Sequence, residues 1–245
     1  MNPIRIDRHD GWAELVMNRP DRKNAIDGPF AQAMLAALNE LNADDAVRAI
    51  VLRGEGGAFC SGLDLKAFNE TPAPDWVAGF TSLWHEVHCA LIESRKAIVG
   101  ALERYAINGG AALAIAADLL VCGETAFLQV GEVQLGMGAP KNIAWLLLRH
   151  SEAVAARLAL LGDRVAGPEL VRLGVATEAV PDAQVVERAC ALAQRIAAFP
   201  PQGVARIKSS IRAAGALRAP REWFDTAAAH DPLAATASRK PGRVS

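Results

Sequence analysis

The chain has 245 residues, 51% of them hydrophobic and 22% charged, with a formal net charge of −1. That length supports one large domain with a real core, and the near-neutral balance excludes a chain that binds nucleic acid or an anionic membrane through its overall charge. The four cysteines, Cys60, Cys89, Cys122 and Cys190, are scattered without a C-x-x-C pair, so they read as small hydrophobes in a reducing cytoplasm and not as a disulfide framework.

The N-terminal stretch MNPIRIDRHDG has no apolar signal region. Residues 4–7 and 13–17, split by Asp10-Gly11, predict two short strands with a turn between them. Asp27 predicts a helix start with Pro29 in the first turn, and Phe30, Met34, Ala37, Leu38 and Leu41 recur on one helical face. Residues 47–52 predict a buried strand before Arg53-Gly54. Thr71-Pro72-Ala73-Pro74 reads as a loop, after which Trp76, Phe80, Leu83, Trp84, Val87 and Leu91 form a helical stripe. Residues 97–102 and 119–122 predict two further strands. The apolar stretch 111–121 is interrupted by Asp118 and falls short of the ~20 residues that a bilayer requires. From Val185 onward the pattern is helical, with stripes at Val185, Ala189, Leu192, Ala193 and Ile196 and then at Val204, Ile207 and Ile211, divided by Pro200-Pro201. These stripes exceed what a small tail buries on itself, which predicts packing on the core or on neighbouring subunits. The residues beyond Lys240 are expected to fray. Strands alternating with helices point to a mixed α/β fold with both sheet faces covered.

Two glycine-bearing junctions carry the chemistry. Phe59-Cys60-Ser61-Gly62-Leu63-Asp64-Leu65-Lys66 and Ala106-Ile107-Asn108-Gly109-Gly110-Ala111-Ala112-Leu113 each end a strand-like run and open onto a helix-like one. Such junctions leave backbone N–H groups unpaired, and two of them aimed at one point form an oxyanion hole. Gly62 and Gly109 would let the backbone approach a ligand closely. Downstream, Glu132 stands between Gly131 and the apolar Val133 to Leu135, a setting expected to desolvate it and raise its proton affinity. His85-Glu86-Val87-His88 has i, i+3 spacing where a shared zinc face needs i, i+4, so no metal is expected. Ser61 lacks a G-x-S-x-G elbow, and no G-x-G-x-x-G run marks a dinucleotide site.

In order, Arg19-Pro20 with Asn24-Ala25, the FCSGLDLK stretch, the NGGAALAIAADL stretch, the EVQLG stretch, and Leu160-Leu161-Gly162 through Leu173-Gly174 resemble the crotonase superfamily of enoyl-CoA hydratases and isomerases. The match runs from about Ile4 to Ser210. It departs after Leu233, where the acidic-glycine and phenylalanine pattern usual near the family's C-terminus is absent. The resemblance implies a single α/β crotonase-fold domain, with a spiral of β-β-α units over residues 1–184 and a helical, oligomer-forming region over 185–245. It also implies assembly as a trimer or a hexamer. By position in the resembling motifs, the backbone N–H groups of Leu63 and Gly109 are the oxyanion donors and Glu132 is the catalytic acid–base. The implied acyl-CoA contacts fall on Leu63, Asp64, Leu65, Lys66, Gly109, Lys23 and Ala25, with Arg22 beside them. Asp64 is expected to brace its loop and Asp118 to anchor a helix end. No separate cofactor is implied, because CoA is part of the substrate.

The departures narrow the reaction. The family's hydratases carry a second glutamate three residues after the glycine that matches Gly109, and Ala112 stands there. A dienoyl-CoA isomerase would want acidic residues at Ala112 and Pro140, and neither is acidic. One carboxylate suffices to carry a proton between the α and γ carbons of an enoyl thioester. The Glu-x-Gln-Leu-Gly run followed by Ala139-Pro140 and Trp145 also resembles the one-glutamate enoyl-CoA isomerases. Isomerisation is therefore the expected activity. The rivals are a hydratase or lyase in which Glu103 or Glu86 replaces the missing carboxylate, and a non-catalytic acyl-CoA binder. Glu103-Arg104 also stands where the family usually has Asn-Gly.

Overall fold

A hairpin opens the chain: β1 (Ile4–Arg8) pairs antiparallel with β2 (Trp12–Met17) through a turn at Gly11, whose φ of +78° favours glycine. The computed structural model describes residues 2–215 and 221–222. Asp27 caps α1 (Gly28–Ala43) by accepting a hydrogen bond from the Phe30 N–H at 2.9 Å, with Pro29 in the first turn. β3 (Ala49–Gly54) follows, then the four-residue α2 (Leu65–Phe68) and α3 (Phe80–Glu93). Trp76, expected on the α3 stripe, instead lies in a separate 3-10 turn, Asp75–Val77.

The next two units repeat one pattern. β4 (Ala97–Leu102), β5 (Tyr105–Ile107) and α4 (Gly109–Ala116) are followed by β6 (Leu119–Gly123), β7 (Phe127–Gln129) and α5 (Pro140–Arg149). In each unit the first strand joins a large sheet, the second joins a small one, and the helix closes the turn. After α6 (Glu152–Leu161) come β8 (Arg164–Ala166), α7 (Gly167–Arg172), β9 (Glu178–Val180), α8 (Val185–Ala197) and α9 (Pro201–Gly215). The large sheet has the order β1-β2-β3-β4-β6-β9, parallel except for the first pair. The small sheet has the order β5-β7-β8.

The parallel strands are apolar on both faces because both are covered. Ile50, Leu52, Ile98 and Leu102 point into the main core with α1, α3 and α4. The alternating residues Ala49, Val51, Val99 and Ala101 join Trp12 and Val121 on the opposite face, where Val185, Ala189, Ala193 and Ala197 of α8 cover them. Gly100 is required there, because a Cβ would lie 2.8 Å from Leu120 Cδ1 and 3.0 Å from Ala117 Cβ. Among the described residues no helix is long and apolar enough to cross a membrane.

The stripe expected on α9 is turned over. Ile207 and Ile211 are 64% and 63% exposed, whereas Lys208 is 7% exposed. The reason is Asp118. Its carboxylate anchors the end of α4, as expected, by accepting the Ile98 N–H at 2.9 Å. It also gathers Lys208 at 2.7 Å, Arg212 at 3.0 Å and Arg149 at 3.3 Å. Burial pushes the Lys208 ammonium down to about 8, against the attraction of Asp118. Ion pairing thus orients α9, and its isoleucines face outward. The departure from the family pattern beyond Leu233 and the tail after Lys240 lie outside the described residues.

Asp118→Asn leaves three clustered cations without their shared carboxylate. We expect a loss of about 3–5 kcal/mol in urea unfolding at pH 7, the range for a broken buried pair, together with increased proteolysis within α9.

Candidate active site

Three chain segments stop side by side at one edge of the small sheet. Cys60 bridges Ala106 of β5 in parallel, and Ala106 pairs with Leu128 of β7. The polypeptide then leaves each strand in turn toward Leu63, Gly109 and Glu132.

The Leu63 loop is held from both sides. Ile26 N–H donates to Gly62 O and Asp64 N–H to Ile26 O, each at 2.8 Å. Between them the Leu63 N–H has no acceptor among the described residues, and the same holds for Gly109 N–H, the first amide of α4. Gly62 has φ +92°, and a Cβ there would lie 2.9 Å from Ile107 O. The Gly62 loop therefore presses directly on the Gly109 segment. Gly110 lies against Cys60, where a Cβ would come 2.6 Å from its carbonyl oxygen. The side chains of Ile26, Leu63 and Trp84 close around Gly109. The helix that opens at Gly109 adds its positive end to the two free amides.

Asp64 is buried and braces the loop: it caps α2 by accepting the Ala67 N–H at 3.2 Å and lies 3.4 Å from Arg19 Nη2. Lys23 and Asn24 both have positive φ, 54° and 53°. Lys23 is exposed, with its carbonyl accepting the Ser61 N–H at 3.1 Å, and Asn24 ties the segment down through Glu55 O and Ala58 O. Ala25 is buried, and its carbonyl accepts from Arg19. Leu65 and Lys66 are exposed at the start of α2, and Arg22 is exposed beside Asp64. Apart from Gly109 at the start of α4, the residues expected to meet acyl-CoA thus fall on one loop pair, with the side chains of Lys23, Leu65 and Lys66 open to solvent.

Glu132 opens a 3-10 turn, Glu132–Leu135, and is 9% exposed. Burial raises its carboxyl to about 7, against a backbone hydrogen bond and one from Asn142 that favour the charged form. The desolvation expected there is present, although Val133 and Leu135 are themselves exposed at 43% and 56%. Asn142 of α5 donates from Nδ2 to Oε1 at 2.9 Å, while Oε2 is buried with no partner among the described residues. Sequence reasoning missed Asn142; a polar residue in the first turn of an apolar helix was its only signal.

No second carboxylate among the described residues acts on Glu132. Ala112 is fully buried on α4. Glu86 is paired with Arg221 at 2.9 Å, and Glu103 is half-buried, its carboxyl raised by burial and influenced by Arg53 and Glu55. Arg104 beside it is exposed with φ 55°. His88 is fully buried and accepts the Trp145 Nε1–H at 2.8 Å, so it is a core residue. His85, Glu86 and Cys89 bring potential ligand atoms within 4.8 Å of one another, but Lys141 Nζ lies 2.7 Å from His85 Nδ1 and Arg221 occupies Glu86. Those two cations oppose a metal ion there. A cavity of about 400 Å³ borders Asp118, Arg149 and Arg212, and Leu63, Gly109 and Glu132 are not among its lining residues.

The sequence matches the family described as Enoyl-CoA hydratase/isomerase over residues 7–245. The carnitinyl-CoA dehydratase of Proteus mirabilis is 32% identical over 210 residues, covering 83% of this chain and 78% of that protein. The 1,2-epoxyphenylacetyl-CoA isomerase of Escherichia coli is 29% identical, covering 83% and 79%. Among solved structures, an enoyl-CoA hydratase/isomerase from Xanthobacter autotrophicus Py2 aligns with a TM-score of 0.87 at 26% identity, over 98% of this chain and 89% of that one.

The raised carboxyl of Glu132 has a consequence for stability. Between its ordinary value near 4.5 and about 7, the folded chain keeps a proton that the unfolded chain has released. Its contribution is therefore favourable at low pH and is lost as pH rises through about 7. Glu132→Gln should stabilise the protein by roughly 2–3 kcal/mol above pH 8 and by almost nothing near pH 4. Chemical unfolding at the two pH values measures the difference.

Proposed function

Because this chain belongs to the enoyl-CoA hydratase/isomerase family, within the crotonase superfamily, and has that family's α/β fold, we propose that it is an enoyl-CoA isomerase with a single catalytic carboxylate. The observation that carries this reading is Glu132: a buried glutamate with one oxygen held and, among the described residues, one oxygen free and no carboxylate partner.

In this reading the thioester carbonyl of a 3-enoyl-CoA accepts hydrogen bonds from the Leu63 and Gly109 N–H groups. Glu132 removes a proton from C2. The electrons move into the carbonyl, and the resulting dienolate oxygen is stabilised by the two amides and the start of α4. The protonated Glu132 then returns its proton to C4, which leaves the double bond between C2 and C3. The base is regenerated, with no net change in protons or electrons. Both transfers use one group, so a value of about 7 suits it to act as base and acid in turn. The Leu63–Lys66 segment, Lys23 and Ala25 are proposed to receive the CoA portion. The outward isoleucines of α9 fit a proposed trimer or hexamer.

Hydration or its reverse is the second reading, supported by the names of relatives such as the Proteus dehydratase. Syn addition of water is normally served by two carboxylates flanking it, and a methyl group at Ala112 binds no water.

Turnover of 3-hexenoyl-CoA measured beside hydration of crotonyl-CoA separates the readings, isomerisation being the faster. Glu132→Gln should lower isomerase kcat by about 10²–10⁴-fold while leaving thioester affinity nearly intact. Wild-type kcat/KM should fall as pH drops below about 7, because the base form is then lost. Ala112→Glu should raise hydration relative to isomerisation. Wild-type turnover by Glu132→Gln on every enoyl-CoA tested would overturn the mechanism.

A further inference from the structure

Asn142 is 2% exposed, and its Nδ2 donates twice: to Glu132 Oε1 at 2.9 Å and to the Asn108 carbonyl at 3.1 Å. Asn108 in turn accepts the Gly131 N–H on Oδ1 at 2.8 Å, while its own N–H donates to Gln129 O at 2.8 Å. Gly131 is covalently joined to Glu132, so the bonds close a ring of Asn142, Glu132, Gly131 and Asn108. A Cβ on Gly131 would stand 3.2 Å from Asn108 Oδ1, which keeps that junction tight.

Asn108 directly precedes Gly109 and has φ 52° and ψ −114°. A non-glycine residue in such a conformation costs on the order of 1–3 kcal/mol and persists only where its surroundings over-determine it. The ring supplies that constraint. It links the segment that presents the Gly109 amide to the turn that presents Glu132, and Asn142 is the side chain that bonds to both.

We propose that Asn142 is the positioning residue of this site: its carboxamide pins Glu132 Oε1, leaves Oε2 as the oxygen that carries the proton, and through the Asn108 carbonyl keeps that oxygen aligned with the Gly109 amide. The proposal rests on reading Glu132 as the base. A single oxygen that serves two carbons of one substrate must be held still, since misplacement by about 1 Å costs on the order of 10²-fold in rate. The donated N–H also favours the carboxylate form and opposes the effect of burial. The charged groups on the adjoining helices are otherwise engaged or exposed. Lys141 on α5 contacts His85, Arg157 on α6 pairs with Asp163 at 3.3 Å, and Glu152 on α6 is exposed. α4 carries no ionisable side chain.

The test titrates Glu132 itself, by carbon NMR of protein labelled at the glutamate carboxyl carbons, with the resonance assigned by its loss in Glu132→Gln. Asn142→Ala removes the donor. Asn142→Asp keeps the volume and substitutes a second acidic group. Both should raise the Glu132 midpoint by about one unit or more, since a hydrogen bond that favours the charged form has gone and, for aspartate, a like charge has arrived. The acid limb of kcat/KM should move by the same amount, with kcat down about tenfold or more and KM within about twofold. Thermal melting checks that each variant folds, and if Asn142→Ala does not, Asn142→Asp carries the measurement. An unmoved midpoint and acid limb in a folded variant, with turnover within about twofold of wild type, would overturn the proposal. Glu132→Gln separates the two levels. If it remains active, the base assignment fails while the midpoint still reports the contact. If it is inactive and the midpoint stays put, the role of Asn142 alone fails.

Discussion

The site depends on one row of parallel pairing. Cys60, Ala106 and Leu128 stand side by side across the small sheet. The three residues assigned to chemistry lie just beyond them: Leu63 and Gly109 each three residues on, Glu132 four. Parallel neighbours are roughly 4.8 Å apart, so similar offsets of three or four residues from one row deliver two amides and a carboxylate to the same edge. Ligands of α/β proteins favour this edge, where strand C-termini leave backbone groups unpaired. A slip of one residue in that pairing would turn the amides away and reverse the faces of the strands. The large sheet, with α8 on one face and the main core on the other, fixes where β5 and β7 begin, because each follows directly from β4 or β6.

The strands of the large sheet could be read from the sequence, since β4 begins and ends where its apolar run does and β3 lies within two residues of its own. The small sheet could not. Tyr105–Ile107 and Phe127–Gln129 are three residues each, too short for an alternation to register. The glycine junctions and Glu132 stood out because their residue types and order are specific, and strand pairing brings their segments to one edge of the small sheet. Asn142 did not, because its role is created by the proximity of α5 to two segments distant in sequence. The exposed Val133 and Leu135 show that adjacency in sequence does not imply a shared environment. α9 is the same lesson in reverse, its apolar periodicity being outweighed by a buried aspartate that draws Lys208 and Arg212 inward.

Two polar clusters in this chain are built in opposite ways. Around Asp118, a single carboxylate is saturated by a backbone N–H and three cations, and the cluster fixes helices. Around Glu132, the accounting is left open. Oε2 of Glu132 and Oδ1 of Asn142 are both buried acceptors without a donor among the described residues. Native interiors rarely leave such groups unsatisfied, because each costs about 1–3 kcal/mol. Two together, beside a strained Asn108 and a carboxyl raised to about 7, concentrate unfavourable terms where a ligand can relieve them.

That open accounting bears on the choice between isomerisation and hydration. A hydratase site must hold a water between two groups that exchange its protons, so both groups need ionisable oxygens at the pocket. Here one partner is a carboxamide, which orients but does not take up a proton, and the position matching the second glutamate is the methyl of Ala112. Isomerisation asks less of the site. It needs one oxygen that accepts a proton from C2 and releases it to C4, and an oxyanion hole that holds the charge during the interval. A carboxyl whose proton affinity lies near neutrality performs both halves without a second residue. The arrangement of one held oxygen and one free oxygen supports the proposed reaction, in which a single group takes the proton from C2 and delivers it to C4.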